Sequence, residues 1–198
     1  MNAALPNILT AARLVAVPVL VLLLLADAGR DGVDRWWALA IFLVAAATDY
    51  LDGYLARRWG VVSTFGKLAD PIADKALILA ALATLAWVDH IGWWAVAILA
   101  VREIAVTAGR LMVAGDTVIA ASQGGKVKTA LQVAAIMLFV WPNAPAWIDL
   151  TAYVLLVAAV LLALITGYDY MRRIVAVLKR QRRNHDSGQQ GSRPDVAA

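Results

Sequence analysis

Four aspartates, Asp49, Asp52, Asp70 and Asp74, stand inside two stretches that are otherwise strongly apolar. A carboxylate buried in such surroundings is costly and needs a reason. At about 100° per residue on a helix, Asp49, Asp52, Gly53 and Ala56 fall within an arc of about 100°, so two acids share a face with two very small residues and leave room for a ligand. Gly66, Asp70 and Asp74 follow at spacings of four, stacking a second pair of acids over a glycine on the next helix. Four carboxylates at one depth repel one another unless cations neutralise them. With only oxygen donors on offer, Mg²⁺, Mn²⁺ or Ca²⁺ is selected over softer metals, and a pair of divalent ions is expected. Such ions bridge and polarise phosphate oxygens, so the expected substrate is a phosphate or pyrophosphate ester, with Arg57 and Arg58 one turn beyond adding charge for it. Two other readings stay open: the acids pair with Arg57, Arg58, Lys67 and Lys75 as helix-end salt bridges, or they line a cation pathway in a carrier.

The rest of the composition narrows the chemistry. There is no cysteine, which removes disulfides, thiolate metal sites and cysteine nucleophiles. The two histidines, His90 and His185, lie far apart and near no carboxylate cluster, so a histidine-based zinc or iron site is not expected. Of the 198 residues, 62% are hydrophobic and 16% charged, a balance that belongs in a bilayer.

Stretches of about 20 apolar residues are the length needed to cross a bilayer. Six are read here, over 8–26, 36–55, 68–88, 93–113, 127–141 and 148–171, so the expected fold is all-α with six transmembrane helices and both ends on one side. The first stretch lacks a basic leading region and a small-residue cleavage site, and it is expected to remain as a helix. Arg57, Arg58 and Lys67, then Arg110, Lys126 and Lys128, then the basic C-terminal segment mark one face as cytoplasmic. The opposite loops carry Asp27, Arg30, Asp31, Asp34 and Arg35, then Asp89 and His90, then Asp149. Seven tryptophans, Trp36, Trp37, Trp87, Trp93, Trp94, Trp141 and Trp147, fall at that outer side as an interfacial belt, and Trp59 alone lies on the cytoplasmic side. No repeat and no inverted halves are visible. Residues 1–178 therefore read as one catalytic membrane domain. Residues 179–198 read as a basic, disordered cytoplasmic tail: seven of the eighteen basic residues fall between Arg172 and Arg193, where they can touch anionic headgroups. Neither catalysis nor nucleic-acid binding is expected of the tail.

The segment DYLDGYLARRWGVVSTFGKLADPIAD, Asp49 to Asp74, fits the pattern DxxDGxxARx8GxxxDxxxD at every fixed position, and by it the chain resembles the CDP-alcohol phosphatidyltransferases. The resemblance implies six transmembrane helices, a polar cavity facing the cytoplasm, a dinuclear site using Mg²⁺ or Mn²⁺, and a homodimer in the cytoplasmic membrane. It implies that Asp49, Asp52, Asp70 and Asp74 ligate metal and that Asp74 also takes the proton of the acceptor hydroxyl. Gly53, Ala56, Arg57 and Gly66 would line the site for CDP-diacylglycerol, with Arg57 on its phosphate. The hydroxyl would attack the phosphorus that carries diacylglycerol and CMP would leave, with no covalent enzyme intermediate.

Over nearly its full length the chain resembles the branch of that family that uses glycerol 3-phosphate. Asn7, Thr10 and Arg13 in PNILTAAR, Arg102 and Glu103 in VREI, and GGKVKT over 124–129 carry this resemblance. Asn7, Thr10 and Arg13 form a slowly turning polar stripe on the first helix, and Thr10 is a candidate contact of the nucleotide lipid; capping and snorkelling explain the stripe as well. Arg102, Arg110, Lys126 and Lys128 put four cations near the cytoplasmic face, enough to hold a second anionic group. Each also has a plainer reading as a snorkelling or topology-setting charge. An acceptor bearing a phosphate fits them: glycerol 3-phosphate, or the inositol phosphate used by a sister branch. Glu103 and Arg110 share a helix face and are expected to pair, whereas Arg102 and Glu103 point apart. Thr166, Asp169 and Arg173 read as a helix-end ion-pair pattern outside the site.

Overall fold

The computed structural model describes residues 4–29, 32–59, 64–89, 91–113 and 123–190; within them, the side chains of 4–7, 49–59, 64–74, 110–113 and 179–190 lie outside the description. Among the described residues the chain forms six helices and no strand: α1 (Ala4–Asp27), α2 (Val33–Trp59), α3 (Thr64–Val88), α4 (Trp93–Val113), α5 (Gln123–Val140) and α6 (Ala146–Gln190). Each apolar stretch read from the sequence falls on one of these helices. Their ends follow from local chemistry. Ala28 and Gly29 turn into the left-handed region, at φ 49° and 74°, and stop α1. Gly92, at φ 93°, makes the turn into α4, where a side chain would meet the Trp94 indole at 2.7 Å. Helix α6 runs on past Leu178 to Gln190 without a break.

Helix α1 packs against both α2 and α3, α6 packs along α4 and α5, and the two groups are joined by α3 against α4 and α5 and by α2 against α5. Leu20 and Leu24 of α1, Phe42 of α2, Leu82 and Leu85 of α3, Leu99 of α4, Ile136 of α5 and Leu156 of α6 fill the common core. Over its described side chains α3 is the most enclosed helix, with Trp87 alone exposed. Close approach at α6 relies on glycines: a Cβ on Gly124 would meet Thr166 Cγ2 at 2.6 Å, and one on Gly109 would run into Ile174.

The outside of the bundle is apolar. Val15, Leu22, Val44, Leu161 and Ile165 are each more than half exposed, which in water would be an aggregation hazard and in lipid is the expected surface. The stretches Ile8–Asp27 and Ala146–Leu178 are long and apolar enough to cross a membrane, and Lys75–Val88 is a shorter apolar segment. All seven tryptophans expected in the outer belt are exposed, and each lies at or beside a helix end on one side of the bundle.

That same end is tied by one arginine. The Arg35 guanidinium, in the first turn of α2, donates to both carboxylate oxygens of Asp89 (3.1 and 2.5 Å), to Asp27 Oδ2 (3.2 Å) and to the Phe139 carbonyl (2.7 Å). Asp27, whose side chain is fully buried, also accepts from the Gly32 amide at 2.6 Å. One side chain thus joins the last residue of α1, the start of α2 and the ends of α3 and α5.

Candidate functional site

The backbone carries Asp49, Asp52, Gly53, Ala56 and Arg57 on α2 and Gly66, Asp70 and Asp74 on α3. Helical spacing therefore applies to both sets, and each pair of aspartates shares one face of its helix. Their side chains lie outside the described residues, as do those of Asn7 and Arg110. The donor set is four carboxylates, oxygen only, and it suits a hard divalent ion. Among the described residues no other group of histidine, aspartate or glutamate gathers in a way that could hold a metal.

Immediately after Asp74 the described side chains begin, and they form a second cluster. Lys75 of α3 donates to Thr107 Oγ1 and lies 3.7 Å from Glu103 Oε2. Lys128 of α5, only 5% exposed, donates to Glu103 Oε1. Arg102 Nη1 donates to the same oxygen at 2.9 Å. Three cations from three helices thus converge on one carboxylate, and the formal charges of Lys75, Arg102, Lys128 and Glu103 leave the group at +2. Each polar group here has a partner, which is the condition for holding charge in an apolar bundle. The uncompensated positive charge is what a dianion entering the group would neutralise.

Arg102 is aimed by α6. Its stem lies against Gly167, where an added Cβ would sit 3.2 Å from Arg102 Cγ. Its Nε donates to the Ala163 carbonyl at 3.4 Å and its Nη2 to Thr166 Oγ1 at 3.2 Å. The Thr166 hydroxyl donates in turn to the Leu162 carbonyl at 2.7 Å, so it is free to accept from the guanidinium.

Arg102 and Glu103 therefore meet rather than pointing apart as helical spacing predicts. Neighbours on a helix diverge at Cβ, but the arginine stem crosses the bare backbone of Gly167 and its terminal nitrogen returns to Glu103. Lys75, Thr107, Thr166 and Gly167 were not read as site residues. The available signals were a lysine directly after Asp74 in an apolar helix and a threonine three residues before Asp169. Asp169 and Arg173 do form the exposed ion pair expected of them, at 2.9 Å. Lys126 is exposed at the start of α5 and is not part of the described cluster. Thr10 and Arg13 are both buried on α1.

Comparison with known proteins agrees with the residue pattern. Residues 3–166 match the family described as CDP-alcohol phosphatidyltransferase. A protein of Mycobacterium tuberculosis (strain CDC 1551 / Oshkosh) named "Probable phosphatidylglycerophosphate synthase" is 46% identical over 170 residues, covering 85% of this chain and 80% of that one. A protein of Bacillus subtilis (strain 168) named CDP-diacylglycerol–glycerol-3-phosphate 3-phosphatidyltransferase is 37% identical over 191 residues, covering 88% of this chain and 97% of that one. A Rickettsia felis protein with the same name as the Bacillus relative is 33% identical over 172 residues, covering 85% and 93%.

Proposed function

The chain belongs to the CDP-alcohol phosphatidyltransferase family, and from that premise we propose that it transfers the phosphatidyl group of CDP-diacylglycerol to glycerol 3-phosphate, giving phosphatidylglycerol phosphate and CMP. The observation that carries the acceptor is the +2 group of Lys75, Arg102, Lys128 and Glu103, which begins one residue after Asp74. A phosphate monoester is a dianion and matches that charge; an uncharged alcohol or a zwitterion does not. The names of the relatives support glycerol 3-phosphate among the dianionic acceptors.

In this reading Asp49, Asp52, Asp70 and Asp74 hold two divalent ions, Mg²⁺ or Mn²⁺. Bound there, the ions would neutralise the pyrophosphate and stabilise CMP as it leaves. Gly53, Ala56 and Gly66 leave space for the nucleotide, Arg57 meets its phosphate, and Thr10 borders the same site from α1. Arg102 and Lys128, joined by Lys75 and flanked by Arg110 and Lys126, hold the acceptor's phosphate so that its hydroxyl reaches Asp74. Asp74 takes the hydroxyl proton, the hydroxyl oxygen bonds to the phosphorus that carries diacylglycerol, and the bond from that phosphorus to the CMP oxygen breaks.

The same reading makes all six helices spans of the cytoplasmic membrane, with both termini and the site on the cytoplasmic side and the protein a homodimer among membrane lipids. The tryptophan belt and the lysines and arginines at the other end support that orientation. Residues 1–178 are then the catalytic domain and 179–198 a basic tail outside it.

The test supplies purified protein with CDP-diacylglycerol and Mg²⁺ or Mn²⁺ and follows CMP release with glycerol 3-phosphate, inositol phosphate, inositol or serine. Release that is fastest with glycerol 3-phosphate and abolished by chelation is the expected result. Preference for inositol phosphate would move the chain to the sister branch with the same site. No release with any acceptor would return the aspartates to the carrier reading.

A further inference from the structure

Asp27, Arg35 and Asp89 lie at the opposite end of the bundle from the four aspartates, yet the strongest tie they make joins the two helices that carry those aspartates. Among the described residues α2 and α3 are not principal packing partners; α1 and, to a lesser degree, α5 each touch both. Apolar burial is non-directional, and packing through a third helix sets the register of α2 against α3 only indirectly. A bidentate arginine–carboxylate pair fixes both distance and direction. At about 1.5 Å per residue, Asp49 and Asp52 lie about 21 and 26 Å along α2 from Arg35, and Asp74 and Asp70 lie about 23 and 29 Å along α3 from Asp89. The two helices run antiparallel from a common tie, so equal lengths measured from it bring both pairs of acids to one depth.

We propose that Arg35 is a positioning residue for the aspartate site: its bidentate hold on Asp89 sets the axial register of α2 against α3 and so aligns Asp49 and Asp52 with Asp70 and Asp74. The inference rests on the reading of those aspartates as a metal site. Metal sites hold their ligand distances to about 0.2 Å, whereas a slip of a single residue along a helix is about 1.5 Å. A register error that the apolar core absorbs would therefore still dismantle the site. Asp27 and the Phe139 carbonyl complete the tie, the first by holding α1 to the same guanidinium and the second by bringing in α5.

The test measures Mn²⁺ binding by the purified full chain without nucleotide or acceptor, from the electron paramagnetic resonance of free Mn²⁺, alongside thermal unfolding. Arg35→Met is expected to weaken Mn²⁺ binding about ten- to a hundredfold, the range found when groups that orient metal ligands are removed. Arg35→Lys, which keeps the charge but not the fork, is expected to fall between. If Arg35→Met does not fold, Asp89→Asn, which keeps the shape and one acceptor, is expected to show a smaller loss in the same direction. Leu156→Ala, in the α6 core, is expected to lower the unfolding temperature and leave Mn²⁺ binding unchanged. Wild-type affinity in both Arg35→Met and Asp89→Asn would reduce the tie to a stabilising contact and overturn the proposal. So would an equal loss of affinity in Leu156→Ala, which would make general loosening the cause. Absence of Mn²⁺ binding in the wild type would instead overturn the metal-site reading itself, a result distinct from wild-type binding that the variants leave unaltered.

Discussion

Lys128 is the cation whose contribution to acceptor recognition can be isolated most cleanly, because its neighbour in sequence, Lys126, serves as its control. Both are lysines of the first turns of α5, but one is buried on Glu103 and the other is exposed. A hydrogen bond to a charged group contributes about 1.5–3 kcal/mol, so Lys128→Met is expected to raise KM for glycerol 3-phosphate about ten- to a hundredfold. Lys126→Met should change it far less, and initial rates at varied glycerol 3-phosphate compare the two. Equal effects would mean that the acceptor is met at the surface and not in the cluster around Glu103. Asp74→Asn preserves size but cannot take a proton and is a weaker metal ligand, and general base catalysis alone contributes about 10²–10⁴-fold. CMP release should fall by at least that factor.

At the scale of helices, the aspartate motif was legible because its meaning lies within two helices, where spacing alone fixes which residues share a face. The grouping of Lys75 with Arg102, Glu103 and Lys128 was not, because it depends on how α3, α4 and α5 are rotated about their own axes. Apolar length locates a span and says little about rotation when nearly all its residues are apolar. The position of Arg102 was further hidden in Gly167, a residue on another helix whose importance is the side chain it lacks. Gly167→Val places branched carbons where the Arg102 stem now lies, and it should break the bonds to Ala163 and Thr166. Losing bonds from a charged group predicts an increase of about tenfold or more in KM for glycerol 3-phosphate, with KM for CDP-diacylglycerol unaltered. Parallel increases in both constants would show that α6 supports the whole bundle at this point rather than one side chain.

For the whole molecule, the absence of any cysteine gives a clean background for mapping sidedness. A single cysteine at Ala144, among the tryptophan-bearing ends, should react with a membrane-impermeant maleimide in intact cells whose outer barrier is opened; one at Lys126 should react only after lysis. The reverse pattern would invert the proposed orientation and put the aspartates outside. The tie at Arg35 has a further consequence when the chain is followed as it is made. In the proposed orientation the tip between α1 and α2 must be carried across the bilayer, and a lone arginine in that environment costs about 2.5–3.5 kcal/mol by insertion measurements. Asp27 precedes Arg35 on the ribosome and can partner it within the hairpin, so the guanidinium need not cross as an isolated charge. Asp89 is synthesised only after the third helix has emerged; it then takes one N–H on each terminal nitrogen of the fork, and the Phe139 carbonyl of α5 takes the last. Biogenesis thus acquires an order, with a hairpin translocated first and a third helix captured by a partner already waiting on the far side.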